Sequence, residues 1–371
     1  MKLIFDSHLD LALNALGWGR DITRPLSEIN EREAGMTGPA RGRATTSLAE
    51  MRRAGVAVCL ATVVARAKPE VCPPEGPGRV SIDYPNQEIA YAAARGQLAY
   101  YRLLEQRGHL RFLDTSEDLD AHWHQWQQGD PAGLPIAVIL AMEGADPIVD
   151  PGQAEAWFDD GLRSVSLAHY GKSRYAVGTG ESGPLSPEGV ELLTQFERLG
   201  MVLDVTHLAE PGFSQALDLF GGPVMASHNN CRALVPGDRQ FSDQQIRRLI
   251  QRDAVIGVAL DAWMLYPGWQ IGKTSREVVG LEAAADHVDH ICQLAGNCRH
   301  AAIGSDLDGG YGTEQTPRGL ETIADLQNLA DPLAARGYRD PQIDAVFHGN
   351  WLRFFQQHLR RPSGKAGSNR P

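Results

Sequence analysis

The chain has few cysteines and no excess of basic residues, and each deficit excludes a class of protein. Its 371 residues include 5 cysteines, an odd number with no CxxC pair, so neither a disulfide framework nor a cysteine-type zinc site is predicted. The 46 acidic residues outnumber the 35 basic ones and give a formal net charge of -11. Because a nucleic-acid-binding surface needs clustered Lys and Arg, we expect no nucleic-acid partner.

Long apolar runs are also missing. No run approaches the roughly 20 apolar residues that a membrane-spanning helix requires. The first residues, MKLIF, are typical of a strand, and no apolar segment of the signal-peptide kind precedes them. We therefore expect a cytoplasmic location and no membrane partner. Hydrophobic residues make up 43% of the chain, which is enough to form a large core.

Short aliphatic runs alternate with longer stretches of helical character. This alternation predicts strands at 2–8, 56–64, 136–142, 162–168, 201–207, 223–228, 254–260 and 300–305, with helices at 86–107, 153–160, 187–199, 211–220, 242–252 and 277–295. Eight strands that alternate with helices favour a parallel sheet, and eight strands can close a TIM-type barrel. We predict an α/β fold with a single domain, a (β/α)8 barrel over residues 1–360, and a disordered tail over 361–371.

Side chains that bind metal ions recur at the ends of the predicted strands. His8 and Asp10 end LIFDSHLD, Glu143 ends IAVILAME, His207 ends MVLDVTH and His228 ends PVMASH. Alternate residues of a strand share a face, so His8 and Asp10 point the same way. Strands of a parallel barrel end at one edge, and zinc accepts imidazole nitrogen and carboxylate oxygen readily. The pattern therefore predicts one metal-binding cavity.

Several carboxylates have positions that suggest separate roles. Burying a lone carboxylate is costly unless it is paired or bound to metal, and its two oxygens suit Glu143 to bridging two ions. Asp306, at the end of HAAIGSD, is either a proton carrier or a structural acid, and Asp308 is its rival. Asp204, three residues before His207, either orients a metal ligand or has a structural role.

The other histidines are assigned no metal. His122 and His124 lie in AHWHQWQQGD, which is predicted to be an exposed helix end. His287 and His290 have helical spacing, and we expect them on the outer face of a helix.

Segments spread over nearly the whole chain match one protein family. They are FDSHLDL, AMEGADPI, GLRSVSLAHY, DVTHL, ASHNNCRAL with PGDRQFSD, AIGSDLDGG and HGNWLRFF, in the order in which the family carries them. On these segments the chain resembles the membrane dipeptidase (renal dipeptidase) family of zinc peptidases, peptidase family M19, within the amidohydrolase-like superfamily. The resemblance implies an amidohydrolase-like barrel and a dipeptidase that hydrolyses short peptides, including those with a C-terminal D-residue, by a metal-bridged hydroxide.

The resemblance also implies a role for each metal-binding residue. His8 and Asp10 would hold one zinc ion together with Glu143, and His207 and His228 would hold a second ion together with Glu143. Glu143 would thus bridge two zinc ions in each chain.

Three further residues acquire expected roles from the same resemblance. His169, at the end of SVSLAH, would contact the scissile carbonyl of the substrate, and Arg239 would bind the terminal carboxylate of the dipeptide. Asp306 would carry protons as general base and then general acid.

Two segments, 170–180 and 259–269, depart from the family pattern. In the second, Asp261 or Trp263 is expected where other members have a tyrosine that contacts substrate. These departures favour one alternative, a two-metal amidohydrolase acting on another amide, a lactam or an N-acyl amino acid. A metal-binding barrel without catalytic activity is a separate alternative. Barrels of this kind often dimerise, so a homodimer is one assembly that we consider, although no segment marks an interface.

Overall fold

Eight parallel strands form the barrel that the alternating pattern predicts. The computed structural model describes residues 1–71 and 82–360, so the predicted tail at 361–371 lies outside the described residues. The strands are β1 (Ile4–Leu9), β2 (Val56–Val64), β3 (Ile136–Glu143), β4 (Leu162–Ser166), β5 (Val202–Asp204), β6 (Val224–Met225), β7 (Ile256–Val258) and β8 (Ala301–Ile303). Each lies within a predicted strand or within one residue of it, and the predicted fold class is confirmed.

The strands pair in chain order. Backbone hydrogen bonds join β1 through β6 in one sheet, and β7 pairs with β8. The step from β6 to β7 is made by Ala226, whose N–H donates to the carbonyl of Val255 at 3.0 Å and whose carbonyl accepts from Gly257 N at 2.8 Å. Because all these pairings are parallel, the carboxyl ends of the strands meet at one edge of the barrel.

Side chains of β1 connect it to β8 across the closure of the barrel. The carboxylate of Asp6 accepts a hydrogen bond from Ser305 N at 2.8 Å, and Ser7 Oγ donates to the carbonyl of Ile303 at 3.1 Å. Burial raises the pKa of Asp6 to about 6, although its hydrogen bonds with Ser305 lower it. Polar residues inside β1 therefore have a structural function that an apolar side chain could not supply.

Helices cover the outside of the barrel. They are α1 (Leu11–Trp18), α2 (Leu26–Arg32), α3 (Leu48–Ala54), α4 (Gln87–Gln106), α5 (Ser116–Gln128), α6 (Ala154–Asp159), α7 (Pro187–Leu199), α8 (Glu210–Leu219), α9 (Asp243–Gln251), α10 (Ala262–Leu265), α11 (Leu281–Ala295), α12 (Ala330–Ala335), α13 (Asp340–Asp344) and α14 (Asn350–His358). Among the described residues, no helix combines the length and the apolar character that crossing a bilayer requires.

Side-chain caps explain where two of these helices begin. Ser186 accepts from Gly189 N before a proline in the first turn of α7, and Ser242 forms a reciprocal capping box with Gln245 at the start of α9. The helices predicted at 187–199 and 242–252 begin within one residue of these starts. Three short strands, Arg66–Ala67, Asp83–Tyr84 and Leu110–Phe112, were not predicted, since two or three residues carry no readable period.

Inside the barrel, β7 and β8 pass so close to the segment after β6 that only glycine fits. A Cβ added at Gly257 or Gly304 would lie 2.0 Å or 1.9 Å from the carbonyl oxygen of Ser227, closer than any real contact. The two glycines therefore allow the strand ends that carry the site to approach one another.

We expect Gly304→Ala to abolish folding or to lower the urea midpoint strongly, because backbone must move to remove the overlap. Gly96→Ala is the matched control: the added methyl meets nothing within 4 Å, and alanine in the interior of α4 gains about 0.5–1 kcal/mol over glycine. Equal urea midpoints for the two variants would contradict this account of the barrel interior.

Candidate metal centre and active site

The five predicted metal-binding side chains converge at the carboxyl edge of the barrel. His8 lies in β1 and Asp10 just after it, Glu143 is the last residue of β3, and His207 and His228 each follow a strand by three residues. All five are buried. They form two overlapping groups, each with ligand atoms within 4.8 Å of one another, and Glu143 belongs to both.

Glu143 is the centre of this cluster. Its Oε1 lies 3.3 Å from Nε2 of His207, 3.3 Å from Nε2 of His228 and 3.7 Å from Nε2 of His8. Burial opposes its ionisation, but the neighbouring imidazoles, with His169 foremost, outweigh burial and hold the pKa of Glu143 well below its usual value. An ionised carboxylate surrounded by ring nitrogens is the donor set that divalent zinc requires.

Burial favours the neutral form of the imidazoles, which is the form that binds metal. Burial lowers the pKa of His8 to about 3 and that of His228 to about 4, and it holds the pKa of His207 well below 6.5. Neutral rings retain a lone pair for a metal ion. Among the described residues, Nε2 of His8 is buried without a hydrogen-bond partner, an otherwise costly arrangement that a metal ion would relieve. The residues therefore fit a metal centre.

Hydroxyl groups orient two of the rings. Thr179 Oγ1 lies 3.0 Å from Nδ1 of His207, and Ser227 Oγ lies 2.9 Å from Nδ1 of His228. Each hydroxyl oxygen can accept a hydrogen bond from Nδ1–H, and in that tautomer Nε2 keeps its lone pair for a metal ion beside Glu143. The Thr62 hydroxyl, by contrast, donates a hydrogen bond to the carboxylate of Asp10. Neighbouring hydroxyl groups thus contact three of the metal-binding side chains and can fix their orientation.

The backbone is strained where the site is built. His207 and Asp306 have φ values of +68° and +59°. These values lie in the left-handed region of backbone conformation, which residues other than glycine rarely adopt. Such conformations cost about 1–3 kcal/mol and persist where the surroundings hold them in place. The strain directs both side chains into the barrel mouth.

Asp306 and Asp308 have different surroundings. Asp306 lines the cleft with Oδ1 3.8 Å from Nε2 of His8, and burial, followed by the charges of Asp10 and Glu143, raises its pKa well above the usual value. Such a carboxylate in a cleft is available to carry protons.

Asp308 has a structural environment. Its carboxylate accepts hydrogen bonds from Thr45 N at 2.9 Å, Thr45 Oγ1 at 2.8 Å and Thr46 N at 3.0 Å. It therefore fastens the loop after β8 to the segment that precedes α3. Asp204 is similar, since its Oδ1 accepts from the backbone of Thr206 and Ser227 at 3.0 Å each.

A cleft of about 560 Å³ opens above the cluster. It is lined by Asp10, Leu13, Val64, Ile82, Glu143, His169, Tyr170, His207, His228, Arg239, Asp261, Trp263, Met264, Asp306, Gly309 and Gly310. The three residues with expected substrate or proton roles, His169, Arg239 and Asp306, all belong to this lining, and both divergent segments contribute to it.

Arg239 is buried beside the metal-binding groups. Its Nη1 donates to Asn229 Oδ1 at 2.7 Å and its Nη2 donates to the carbonyl of His228 at 2.8 Å. Because a guanidinium has five N–H donors, these two bonds leave three for another acceptor. An anchored guanidinium in a cleft is suited to binding a carboxylate.

Some residues that matter could not be found by reading along the chain. Arg66 Nη1 lies 3.2 Å from Nδ1 of His169, a contact between residues 103 positions apart.

Two predictions about other histidines are wrong. His122 is buried with Nε2 3.0 Å from the carbonyl of Ala57, and His287 is buried and accepts from a backbone N–H. Both rings satisfy polar groups beneath their helices, which helical spacing alone does not reveal.

The family model described as membrane dipeptidase (peptidase family M19) matches residues 2–364. The chain belongs to this family, as its motifs predict. An uncharacterized Klebsiella pneumoniae protein from the pqqA 5' region is 30% identical over 228 residues, which are 59% of this chain and 80% of that protein.

Fungal relatives include Dipeptidase verJ of Clonostachys rogersoniana, 30% identical over 59% of this chain and 54% of that protein. Dipeptidase tcpJ of Claviceps purpurea is 29% identical over 53% of this chain and 45% of that protein. The chain thus spans about half the length of these two relatives.

Solved structures share the fold. A metallopeptidase named dipeptidase AC has a TM-score of 0.75 at 23% identity, over 96% of this chain and 99% of that one. A Rhodobacter sphaeroides metallopeptidase, liganded with a phosphinate mimic of the dipeptide L-Ala-D-Ala, has a TM-score of 0.75 at 23% identity, over 96% of this chain and 100% of that one. These likenesses support the α/β barrel fold.

The contrast between Asp306 and Asp308 predicts opposite effects of the same substitution. Asp308→Asn places an amide against backbone donors and should cost about 1–3 kcal/mol of unfolding free energy in metal-free protein. Asp306→Asn removes a negative charge from beside Asp10 and Glu143 and should leave stability unchanged or higher. Urea unfolding in the presence of a chelator measures both, and equal destabilisation would show that the two roles are misassigned.

Proposed function

We propose that the chain is a zinc-dependent dipeptidase in which two ions are held by two ligand groups that share Glu143. His8 and Asp10 complete one group, and His207 and His228 complete the other. The observation that carries the proposal is the position of Glu143, whose Oε1 lies within 3.7 Å of the Nε2 atoms of His8, His207 and His228 at the floor of a cleft. A hydrolase of peptide bonds agrees with membership of a peptidase family.

When bound, the two ions supply a Lewis acid and an activated water at neutral pH. The remaining chemistry belongs to the protein. His169 donates a hydrogen bond to the oxygen of the scissile carbonyl as charge develops there, a kind of contact whose loss commonly lowers kcat about 10²–10³-fold. Asp306 takes a proton from the attacking water and passes it to the leaving amine.

In the proposed enzyme, Arg239 selects substrates by their length. Its free N–H groups would bind the terminal carboxylate, so that a free C-terminus must lie a fixed distance from the metal-binding groups. The expected substrate is therefore a dipeptide, with L or D stereochemistry at its C-terminal residue.

A second candidate function follows from the divergent segments. Tyr170, Asp261 and Trp263 line the cleft, and burial raises the pKa of Asp261 to about 7. Such a wall would also suit an N-acyl amino acid or another amide that presents a carboxylate to Arg239.

The cytoplasmic location, the homodimer and the tail at 361–371 stay predictions.

Zinc analysis combined with a screen of L,L- and L,D-dipeptides tests the proposal. We expect close to two zinc ions per chain, hydrolysis of dipeptides, and loss of both properties in Glu143→Gln, because its amide cannot bridge two cations. Glu155→Gln is the control, since its side chain is 59% exposed in a surface ion pair. Zinc without hydrolysis of dipeptides, but with hydrolysis of N-acyl amino acids, would favour the second candidate.

For Arg239→Ala we expect KM for free dipeptides to rise roughly 10–100-fold, because hydrogen bonds to charged groups contribute about 1.5–3 kcal/mol. Dipeptides with an amidated C-terminus serve as the internal control, since they offer no carboxylate. The variant should lose the preference of the wild type for free over amidated dipeptides. An unchanged ratio of kcat/KM between the two substrates would remove Arg239 from the binding site.

A further inference from the structure

Arg66 lies just beyond β2 and is held in place by Asp83. Its Nε donates to Asp83 Oδ1 at 2.6 Å and its Nη2 donates to Oδ2 at 2.8 Å, a bidentate ion pair. The two side chains are 16% and 18% exposed. Planar pairs of this kind fix the orientation of a guanidinium. The remaining arm, Nη1, reaches Nδ1 of His169 at 3.2 Å.

This contact determines which nitrogen of His169 carries the proton. A guanidinium only donates hydrogen bonds, so Nδ1 of His169 must accept. In the neutral ring the proton is then on Nε2, which lies 3.7 Å from Glu143 Oε1 in the cleft. An Nε2–H group has no lone pair for a metal ion and can donate to a carbonyl oxygen.

Two of the three rings proposed as ligands, His207 and His228, have a hydroxyl group behind them instead. Thr179 Oγ1 donates towards the carbonyl of His207 at 3.4 Å, so its oxygen can accept a hydrogen bond from Nδ1–H of the same residue. Ser227 Oγ has the corresponding place beside His228. Four imidazoles lie within 3.7 Å of Glu143 Oε1. The group behind the ring is a hydroxyl for His207 and His228 and a guanidinium for His169.

We infer that Arg66 is a positioning residue that keeps His169 in its Nε2–H form, so that this ring donates a hydrogen bond into the cleft instead of binding metal. The inference rests on the proposed function for its catalytic consequence, while the position of the proton can be measured independently. Arg66 does not line the cleft, so it acts on the substrate only through His169. Asp83 in turn holds Arg66 in place.

Kinetics of Arg66→Met test the catalytic consequence. Without the guanidinium the ring of His169 can exchange tautomers, so kcat should fall by roughly tenfold or more, up to the 10²–10³-fold typical of losing an oxyanion donor, with KM little changed. The affinity of a phosphinate dipeptide mimic, which resembles the tetrahedral state, should fall in parallel. Arg174→Met is the control, because this exposed arginine contacts Gln87 and Val149 but not His169.

A double-mutant cycle separates positioning from general damage. If Arg66 acts through His169, Arg66→Met should have no further effect on kcat in a His169→Ala background. Arg66→Lys should restore part of the activity, since an ammonium also only donates. Additive losses in the cycle, or a change confined to KM, would overturn the inference.

Nuclear magnetic resonance of protein labelled with ¹⁵N in its histidines tests the tautomer directly, whether or not a substrate is known. Wild-type protein and Arg66→Lys should show His169 protonated at Nε2, and Asp83→Asn or Arg66→Met should show a mixture. A proton on Nδ1 of His169 in the wild type would overturn the inference even if the enzyme is an active dipeptidase. Correct tautomers in a chain that cleaves no dipeptide would instead count against the proposed function alone.

Discussion

The site depends on one buried charge, the carboxylate of Glu143. It ends a strand whose eight residues, IAVILAME, are all buried, so an isolated carboxylate there would be expensive. The neighbouring imidazoles lower the pKa of Glu143, while burial lowers the pKa of the imidazoles themselves. A buried carboxylate surrounded by neutral imidazoles needs a cation, and the proposed pair of divalent ions would supply it.

Parallel strands make this arrangement possible, and groups from distant segments refine it. The strand ends bring the rings to one edge, and Gly257 and Gly304 let that edge close tightly. Behind the rings, Thr179 and Ser227 leave lone pairs facing Glu143, while Arg66 leaves an N–H. Histidine side chains in one site thus have different chemical roles, because different groups contact the Nδ1 atom of each ring.

Much of this could be predicted from the sequence, because the informative signals are local. Aliphatic runs located all eight strands, and the alternation of His8 and Asp10 located the first half of the site. The contacts of Arg66 and Asp6 could not be predicted, since they join residues separated by 103 and 299 positions and leave no period. Helical spacing likewise could not show that His122 and His287 face inward to satisfy backbone groups.

Anomalous X-ray diffraction at the zinc absorption edge, on crystals grown with zinc, tests the central claim most directly. The account predicts two peaks at the carboxyl edge of the barrel, each about 2.0–2.2 Å from a different oxygen of Glu143. His207 and His228 should both bind one of the two ions. His169 should bind neither ion. A single peak, or peaks bound away from Glu143, would contradict the account.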